Sequence, residues 1–307
     1  MFLAAWQSMR ILITGATHGM GKGVARALAS HPNMELVLLG RSEALLRETA
    51  EELQQHGAGP RVSVVRCDLA RLQDVRSAIA ELRKLPVLDA IFVNAGIGYA
   101  GSHQRTEDGF DAHFQVNYLS QFMLTLNLLD RLEASSHGGR VVFNAPAFGD
   151  LRWNDLQLEK DWNYELAIGQ AMVAKRMLAT QLHALYRARG EPRVSCYSFE
   201  ISKTVWTNQL NLIPRSMRLV ATVMRALGQF ISIDECGAIM APLFLESRQE
   251  CAQKSGRLIA LKRGKLYDRE KHPGVLDAAT REQLWNISLA LCADEATTRA
   301  AQRLTSH

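Results

Sequence analysis

The chain has 307 residues, 47% hydrophobic and 22% charged, so it is long and apolar enough to bury a large core and is not a disordered protein. Its formal net charge of +5 is spread without a long run of one sign, so the charge alone does not indicate a nucleic-acid partner. The five cysteines lie far apart and form no C-x-x-C pair, which argues against a zinc site or a disulfide framework and favours a reducing cytoplasm.

The first predicted element begins near Arg10. Residues 1–9 lack a basic front followed by a long apolar stretch, so we expect a short extension rather than a signal peptide or a membrane span. From there, short apolar runs alternate with segments of helical periodicity, which is typical of βα units around a parallel sheet buried on both faces. The predicted strands are ILITGAT, ELVLLGR, RVSVVRCDL, LDAIFVNAG, RVVFNAPA and RVSCYSFEIS. The predicted helices between them cover residues 22–30, 44–56, 73–84, 109–132 and 165–189.

The pattern changes after this βα series. The segment from about residue 208 to 232 is amphipathic with a basic flank, and we expect it to cover a substrate cleft. The alternatives are a helix that faces the core and a helix that lies on a membrane surface. The stretch SGRLIALKRGKLYD then predicts a seventh strand, followed by closing helices near 281–292. The expected fold class is therefore α/β, with one Rossmann-type, doubly wound parallel sheet of about seven strands flanked by helices in a single domain over 1–307.

A glycine-rich turn joins the first predicted strand to the first helix. In T-G-A-T-H-G-M-G-K-G, the glycines have the spacing G-x-x-x-G-x-G, which lets the backbone turn tightly and approach a pyrophosphate at the helix N-terminus. An ordinary tight βα turn, with a solvent-facing histidine, is the alternative. The residues expected to contact a dinucleotide here are Gly15, Thr17, His18, Gly19, Met20 and Gly21.

The end of the second predicted strand indicates which dinucleotide is bound. Arg41 lies twenty residues after Gly21, near where an NAD binder carries an acidic residue for the ribose hydroxyls. An arginine there can pair with a 2′-phosphate, so NADP(H) is favoured over NAD(H). A solvated turn residue is the alternative role for Arg41.

Further motifs follow the third and fourth predicted strands: Asp68 with Leu69, and then Asn94-Ala95-Gly96. Together with the glycine turn they resemble the short-chain dehydrogenase/reductase superfamily over nearly the whole chain. The stretches DGFDAHFQVNYLSQFMLT, DLQLEKDWNYELAIGQ and SGRLIALKRGKLYD are similar to its retinol dehydrogenase and protochlorophyllide reductase-like branch. The resemblance implies that Asp68 and Leu69 lie by the adenine and that residues 94–96 line the cofactor cleft.

The same resemblance implies a role for Asn117, as the helix-kinking asparagine of the family's catalytic tetrad. For Asn94 and Asn117, capping of backbone groups within the fold is the alternative role.

The chain departs from the family at the other three catalytic positions. Family enzymes use a serine to hold the substrate carbonyl, a tyrosine to transfer the proton, and a lysine that lowers the tyrosine pKa. At these positions the chain has Pro146, preceded by Ala145, then Ile168 and Met172. None of these side chains exchanges a proton, so the resemblance implies that the usual acid–base mechanism does not operate.

Other polar residues near the expected cleft are candidate replacements, although none has the required spacing. Tyr164 is expected in the loop before the helix, and Lys175 one turn after Met172. Tyr99, His103 and Tyr197 are expected near strand ends. For each of them, a surface or packing role is the alternative.

Two functions remain open from the sequence. One is an atypical NADPH-dependent reductase in a biosynthetic pathway, acting on an activated carbonyl, enone, quinone or iminium. The other is a catalytically degenerate protein that uses NADP(H) as a structural or sensing ligand, or a non-redox enzyme on the same scaffold. We expect a small-molecule substrate, no metal, no nucleic-acid partner and no membrane contact, and the sequence is compatible with a homodimer.

Overall fold

The structure, a computed structural model, describes residues 8–55, 61–190, 193–201, 204–205, 220, 222–224, 228–262 and 265–305. Most of the predicted cleft helix of 208–232, and residues 1–7 of the predicted N-terminal extension, therefore lie outside the described residues. Within the described ranges, no helix combines the length and the apolar character needed to cross a membrane.

The centre of the fold is one large sheet. Its strands are β1 (Met9–Thr14), β2 (Met34–Gly40), β3 (Arg61–Arg66), β4 (Ala90–Val93), β5 (Gly139–Asn144), β6 (Val194–Ile201), β9 (Leu258–Lys262) and β10 (Lys265–Asp268). The spatial order is β10-β9-β6-β5-β4-β1-β2-β3, and all neighbours are parallel except the edge pair of β9 and β10. A separate two-stranded sheet pairs β7 (Thr204–Val205) with β8 (Phe230–Ile231). The predicted Rossmann-type sheet of seven parallel strands is thus confirmed.

Helices cover both faces of this sheet. They are α1 (Gly19–Ala29), α2 (Glu43–Gln54), α3 (Leu72–Leu82), α4 (Ala112–Phe114), α5 (Ser120–Glu133), α6 (Tyr164–Ala188), α7 (Ile233–Met240), α8 (Pro242–Leu245), α9 (Arg248–Lys254), α10 (Pro273–Leu276), α11 (Ala278–Cys292) and α12 (Glu295–Thr305). Alternate residues of β1 supply the two cores: Leu12 packs under α3, α5 and α6, whereas Ile11 and Ile13 pack under α1, α2 and α7. Burial on both faces explains why the strands are continuous apolar runs.

Several predicted boundaries were wrong. The helix predicted over 109–132 begins only at Ala112, because Gly109 has a φ of +86° and Asp111 caps the helix by accepting from Phe114 N at 2.8 Å. It then passes through a π-helical turn, Gln115–Leu119, before α5. The single strand predicted from SGRLIALKRGKLYD is a β9–β10 hairpin, so the sheet gains an antiparallel edge.

Candidate functional site

The site follows from the strand order. The sequence order of the strands reverses between β1 and β4, and at such a switch point the carboxyl ends of parallel strands open a crevice. The glycine turn after β1, the loop after β4 and the loop after β5 meet there.

The glycine turn leaves the start of α1 open to an anion. Helix α1 begins at Gly19 rather than at the predicted Lys22, so Met20 and Gly21 lie in its first turn. The N-cap residue His18 is exposed and its side chain makes no capping hydrogen bond, while Thr17 Oγ1 lies 2.9 Å from His18 Nδ1. The N-cap side chain therefore leaves the first-turn N–H groups open, which fits a pyrophosphate there.

Two of the glycines are also required by close packing against the loop after β4. Gly15 has a φ of +69°, and a Cβ there would lie 2.9 Å from Ala95 Cα. A Cβ on Gly21 would overlap the Gly15 carbonyl oxygen and lie 2.7 Å from Asn94 Nδ2. The turn is therefore fixed by backbone contact before any ligand binds.

Gly21→Ala is expected to lower the free energy of unfolding by about 1–3 kcal/mol, because the added methyl group meets backbone rather than a flexible side chain. Binding of NADPH should weaken with it. Gly101→Ala is the matched control, since a Cβ at Gly101 meets nothing within 4 Å. Chemical denaturation and calorimetry measure both effects; a Gly21→Ala variant as stable as Gly101→Ala would contradict the packing argument.

A hydrogen-bonded network ties β1, β4 and β5 together at their carboxyl ends. Thr14 Oγ1 accepts from the backbone N of Asn94 and of Ala95, both at 2.9 Å. Asn94 Nδ2 donates to Thr14 O at 3.1 Å, and Asn144 Nδ2 donates to Asn94 Oδ1 at 3.2 Å. Gln121 Nε2 donates to Ala95 O at 2.5 Å. Both polar side-chain atoms of Asn94 thus form hydrogen bonds within the fold.

Asn117 lies in the π-helical turn and is 1% exposed. Its Oδ1 accepts from Ile97 N at 2.7 Å, and its Nδ2 donates to Ile97 O at 3.2 Å. A Cβ on Gly96 would lie 2.8 Å from Asn117 Oδ1. In this structure Asn117 therefore fixes the backbone of the cleft loop, and this contact explains why residue 96 is a glycine.

The other predicted cofactor residues lie at the ends of β2 and β3. Arg41 is exposed directly after Gly40, and no described residue forms an ion pair with its side chain. Asp68 Oδ1 accepts from Ala70 N at 3.0 Å, which shapes the turn before α3, and Leu69 is buried. Arg41 is therefore available for a phosphate, whereas Leu69 belongs to the core.

The three positions at which the resemblance implies the family's serine, tyrosine and lysine are occupied by apolar residues in apolar surroundings. Met172 is 7% exposed and is part of the core beneath α6, and Ile168 is half-buried against it. Pro146 is half-buried after β5, and its carbonyl accepts from Phe148 N at 2.9 Å. No proton donor or acceptor side chain stands at these positions.

The loop after β5 packs directly on α6. Gly149 has a φ of +92°, and a Cβ on Gly169 would lie 2.9 Å from Gly149 Cα, so the two backbones touch. Gln170 Oε1 accepts from Arg152 N at 2.6 Å and its Nε2 donates to Leu156 O at 3.3 Å. The loop is thus held against the helix next to Ile168.

Four charged side chains lie beside this loop, three of them buried and the fourth, Arg269, exposed. Glu200 Oε2, on β6, accepts from Ala147 N at 2.7 Å and pairs with Arg269 through its other oxygen. Arg176, on α6, pairs with Glu270 at 3.2 Å and donates to Phe148 O at 3.3 Å. These charges compensate one another and fix the residue that follows Pro146.

Of the candidate replacements, Lys175 has the most unusual environment. Its side chain is buried, and its only described hydrogen-bond acceptor is Asn144 O, 3.4 Å from Nζ. Burial without a carboxylate lowers the pKa of Lys175 to about 7. The sequence placed Lys175 one turn from Met172 but could not show that it reaches the end of β5.

This burial predicts a pH-dependent stability. The unfolded Lys175 has its ordinary pKa of 10.5 and the folded one a pKa of about 7, so between these values the unfolded chain binds more protons. Stability therefore rises with pH across this window, by up to about 1.4 kcal/mol per pH unit for this group. At a pH of about 7, Lys175→Met should be more stable than wild type. This difference in stability should disappear as the pH rises towards 10.5. Urea denaturation of both proteins across the window measures it; a pH-independent difference would contradict it.

The remaining candidates differ in where the fold places them. Tyr197 is buried in the core, where its hydroxyl donates to Leu243 O at 2.9 Å and burial raises its pKa well above the usual value. Tyr164 was predicted in the loop but is the first residue of α6, because Asn163 caps the helix by accepting from Leu166 N. Burial also raises the pKa of Tyr164, whose ring packs on Tyr99 at a centroid distance of 5.2 Å.

Comparison with known proteins identifies relatives of this chain. The profile of the family described as short chain dehydrogenase matches residues 9–155. Polyprenol dehydrogenase from Homo sapiens is 29% identical over 187 residues, which cover 58% of this chain and 56% of that protein. That match thus spans little more than half of the relative's length. Retinol dehydrogenase 12 from Mus musculus is 28% identical over 288 residues, covering 92% of this chain and 85% of that protein.

A solved structure shares the fold. L-sorbose reductase from Gluconobacter frateurii, complexed with NADPH and L-sorbose, superposes with a TM-score of 0.63. The two chains are 19% identical, and the match covers 84% of this chain and 96% of that one. The likeness is one of fold.

Proposed function

Because the chain belongs to the short-chain dehydrogenase/reductase superfamily, we propose that it is an NADPH-dependent reductase of an activated substrate. The substrate class is an activated carbonyl, an enone, a quinone or an iminium. The observation that carries the proposal is the apolar identity of Pro146, Ile168 and Met172, where the family places its proton-transferring residues. A substrate that accepts hydride without acid assistance at its oxygen requires none of them.

The chain's own residues support cofactor binding. The first-turn N–H groups of α1 would hold the pyrophosphate, since the N-cap side chain of His18 leaves them open. Arg41 would pair with the 2′-phosphate, and Asp68 would lie at the adenine end. When bound, NADPH supplies a hydride to the substrate.

Proton delivery then falls to solvent or to a group outside the family's positions. In an enone, quinone or iminium, the charge that develops during hydride addition is delocalised or neutralised within the substrate itself. Positioning of the substrate in the cleft therefore accounts for the rate. The absence of the tyrosine lowers the reaction rate less with such a substrate than with a simple ketone.

NADPH oxidation in the presence of enones, quinones, iminium salts and activated carbonyls tests the proposal. We expect turnover with at least one of these classes. If NADPH binds but no acceptor is reduced, the reductase proposal is wrong.

A second candidate function is favoured by the loop after β5. Its backbone contact between Gly149 and Gly169, and the bond from Arg176 to Phe148 O, hold it against the helix that would carry the catalytic residues. A loop fixed in this way, beside positions that have no proton-transferring side chain, suits a protein that binds NADP(H) as a structural or sensing ligand.

The cellular location, the partners and the oligomeric state of the protein are also part of the proposal. The five cysteines are free and buried, which supports a reducing cytoplasm. A small molecule is the expected partner, with no nucleic acid and no membrane contact, and a homodimer is the assembly to test by light scattering.

A further inference from the structure

One buried lysine lies directly behind the floor of the crevice. Helix α6 begins at the crevice, where Gly169 touches Gly149 of the loop after β5. Side chains on a helix lean towards its N-terminus, so Lys175 points back towards the crevice. Its Nζ lies 3.4 Å from Asn144 O, at the carboxyl end of β5. The amine therefore stands at the level of the strand ends that form the crevice floor.

Asn144 connects this amine to the crevice floor. Its Nδ2 donates to Asn94 Oδ1 at 3.2 Å, and Asn94 bonds in turn to Thr14 at the end of β1. Asn94 and Asn144 are both partly exposed, whereas Lys175 is 2% exposed. The floor at the ends of β4 and β5 thus includes two amide side chains, with the amine of Lys175 behind them.

No ion pair within the described residues fixes the charge of Lys175. Burial is the cause of its lowered pKa, and its hydrogen-bond acceptor is a backbone carbonyl. Other polar groups that titrate or carry charge on elements packed against α6 are His113 on α4, Tyr118 in the π-helical turn, Arg140 on β5, Glu200 on β6, Arg281 on α11 and Arg303 on α12. Each of them bonds to a partner other than Lys175.

The thiols on these elements do not compensate the lysine either. Burial raises the pKa of Cys196, on β6, and of Cys292, on α11, so both thiols are neutral. The amine of Lys175 can therefore gain or lose a proton in response to charge that enters the crevice.

The position of Lys175 matters for the reacting half of a dinucleotide. Arg41 follows β2 and Asp68 follows β3, which suit the 2′-phosphate and the adenine. The nicotinamide half would then cross the switch point to the ends of β4 and β5. The nicotinamide ring is positively charged in NADP⁺ and neutral in NADPH. A protonated Lys175 therefore disfavours the oxidised ring but not the reduced one.

We propose that Lys175 controls which redox form of the cofactor the protein holds, because its protonated amine favours NADPH over NADP⁺. The inference rests on the proposed function, since it requires NADP(H) in the crevice. Lys175 is buried behind Asn144, so it acts through its charge rather than by contact with the substrate. The relative affinity for the two cofactors should therefore follow the protonation of this one residue.

Binding of NADPH and of NADP⁺ at several pH values tests the proposal without turnover. Calorimetry at constant ionic strength, between a pH of about 6 and about 9, gives the ratio of the Kd for NADP⁺ to the Kd for NADPH. In wild type this ratio should fall about 10-fold as the pH rises, which corresponds to a difference of about one unit in the pKa of Lys175 between the two complexes. The 2′-phosphate also titrates in this range, but both cofactors carry it, so the ratio cancels its effect. A ratio that does not change with pH would overturn the proposal.

Two variants and a control locate the effect at Lys175. Lys175→Met carries no charge, so its ratio should be low at every pH. Lys175→Arg stays charged throughout, so its ratio should be high at every pH. Lys84→Met, which removes an exposed lysine after α3, should keep the pH dependence of wild type. If the arginine variant does not fold, Lys175→Met decides alone: the pH dependence of wild type in that variant would overturn the proposal.

The results also separate this proposal from the reductase proposal. The expected pH dependence without reduction of any acceptor would contradict the reductase alone. Turnover with a ratio that does not change with pH would contradict the role of Lys175 alone. If the protein binds neither cofactor, both proposals are wrong.

Discussion

Wild-type protein is expected to reduce enones or quinones at least about 100-fold faster than unactivated ketones of similar size. General acid catalysis contributes roughly two to four powers of ten to rates of this kind, and the chain has no ionisable side chain at positions 146, 168 or 172. A simple ketone needs that acid assistance because its oxygen takes the full negative charge during hydride addition. The measurement is kcat/KM for NADPH oxidation with matched pairs of acceptors.

The double variant Ile168→Tyr with Met172→Lys tests whether restoring the family's tyrosine and lysine raises the activity. It should gain little on activated substrates, and crowding is expected to cost stability, because Met172 is core-packed and Ile168 rests against it. Met177→Lys, also on α6 and buried, is a control for the cost of burying a charge. If wild type reduces unactivated ketones at rates similar to those of quinones, the activated-substrate proposal is wrong and a proton donor such as Tyr164 must act.

Arg41→Ala is expected to weaken NADPH binding by about 10- to 100-fold and to leave NADH binding nearly unchanged. The estimate corresponds to the loss of one or two hydrogen bonds between a guanidinium and a phosphate. Arg41 is exposed and unpaired among the described residues, so no internal partner competes with the phosphate. Fluorescence titration with both cofactors measures the change.

Arg47→Ala is the matched control for this experiment. Arg47 is an exposed arginine on α2, where it pairs with Glu43 at 2.5 Å, and it lies on the helix that follows Arg41. Its loss should leave both affinities unchanged. Equal binding of NADPH and NADH by wild type would contradict the assignment of Arg41 to the 2′-phosphate.

The sequence predicted the family, the parallel sheet and the position of the glycine turn, because these depend on local patterns. Apolar runs separated by amphipathic segments identify βα units, and the glycine spacing marks the first turn. The family prediction is confirmed by the relatives of the chain, and the sheet by the strand order. The start of α6 was predicted one residue late, at Glu165 rather than Tyr164, although Asn163 is a readable N-cap residue.

Only the tertiary structure decided how the polar residues are used. Thr14 begins the glycine motif and Asn144 lies in no recognised motif, yet both bond to Asn94 at the switch point, because strands distant in sequence end side by side. The burial of Lys175 depends likewise on how the end of β5 packs against α6. Local sequence determines which elements form, whereas side-chain partners arise from contacts between residues far apart in the chain, and a single sequence does not encode these in any periodic pattern.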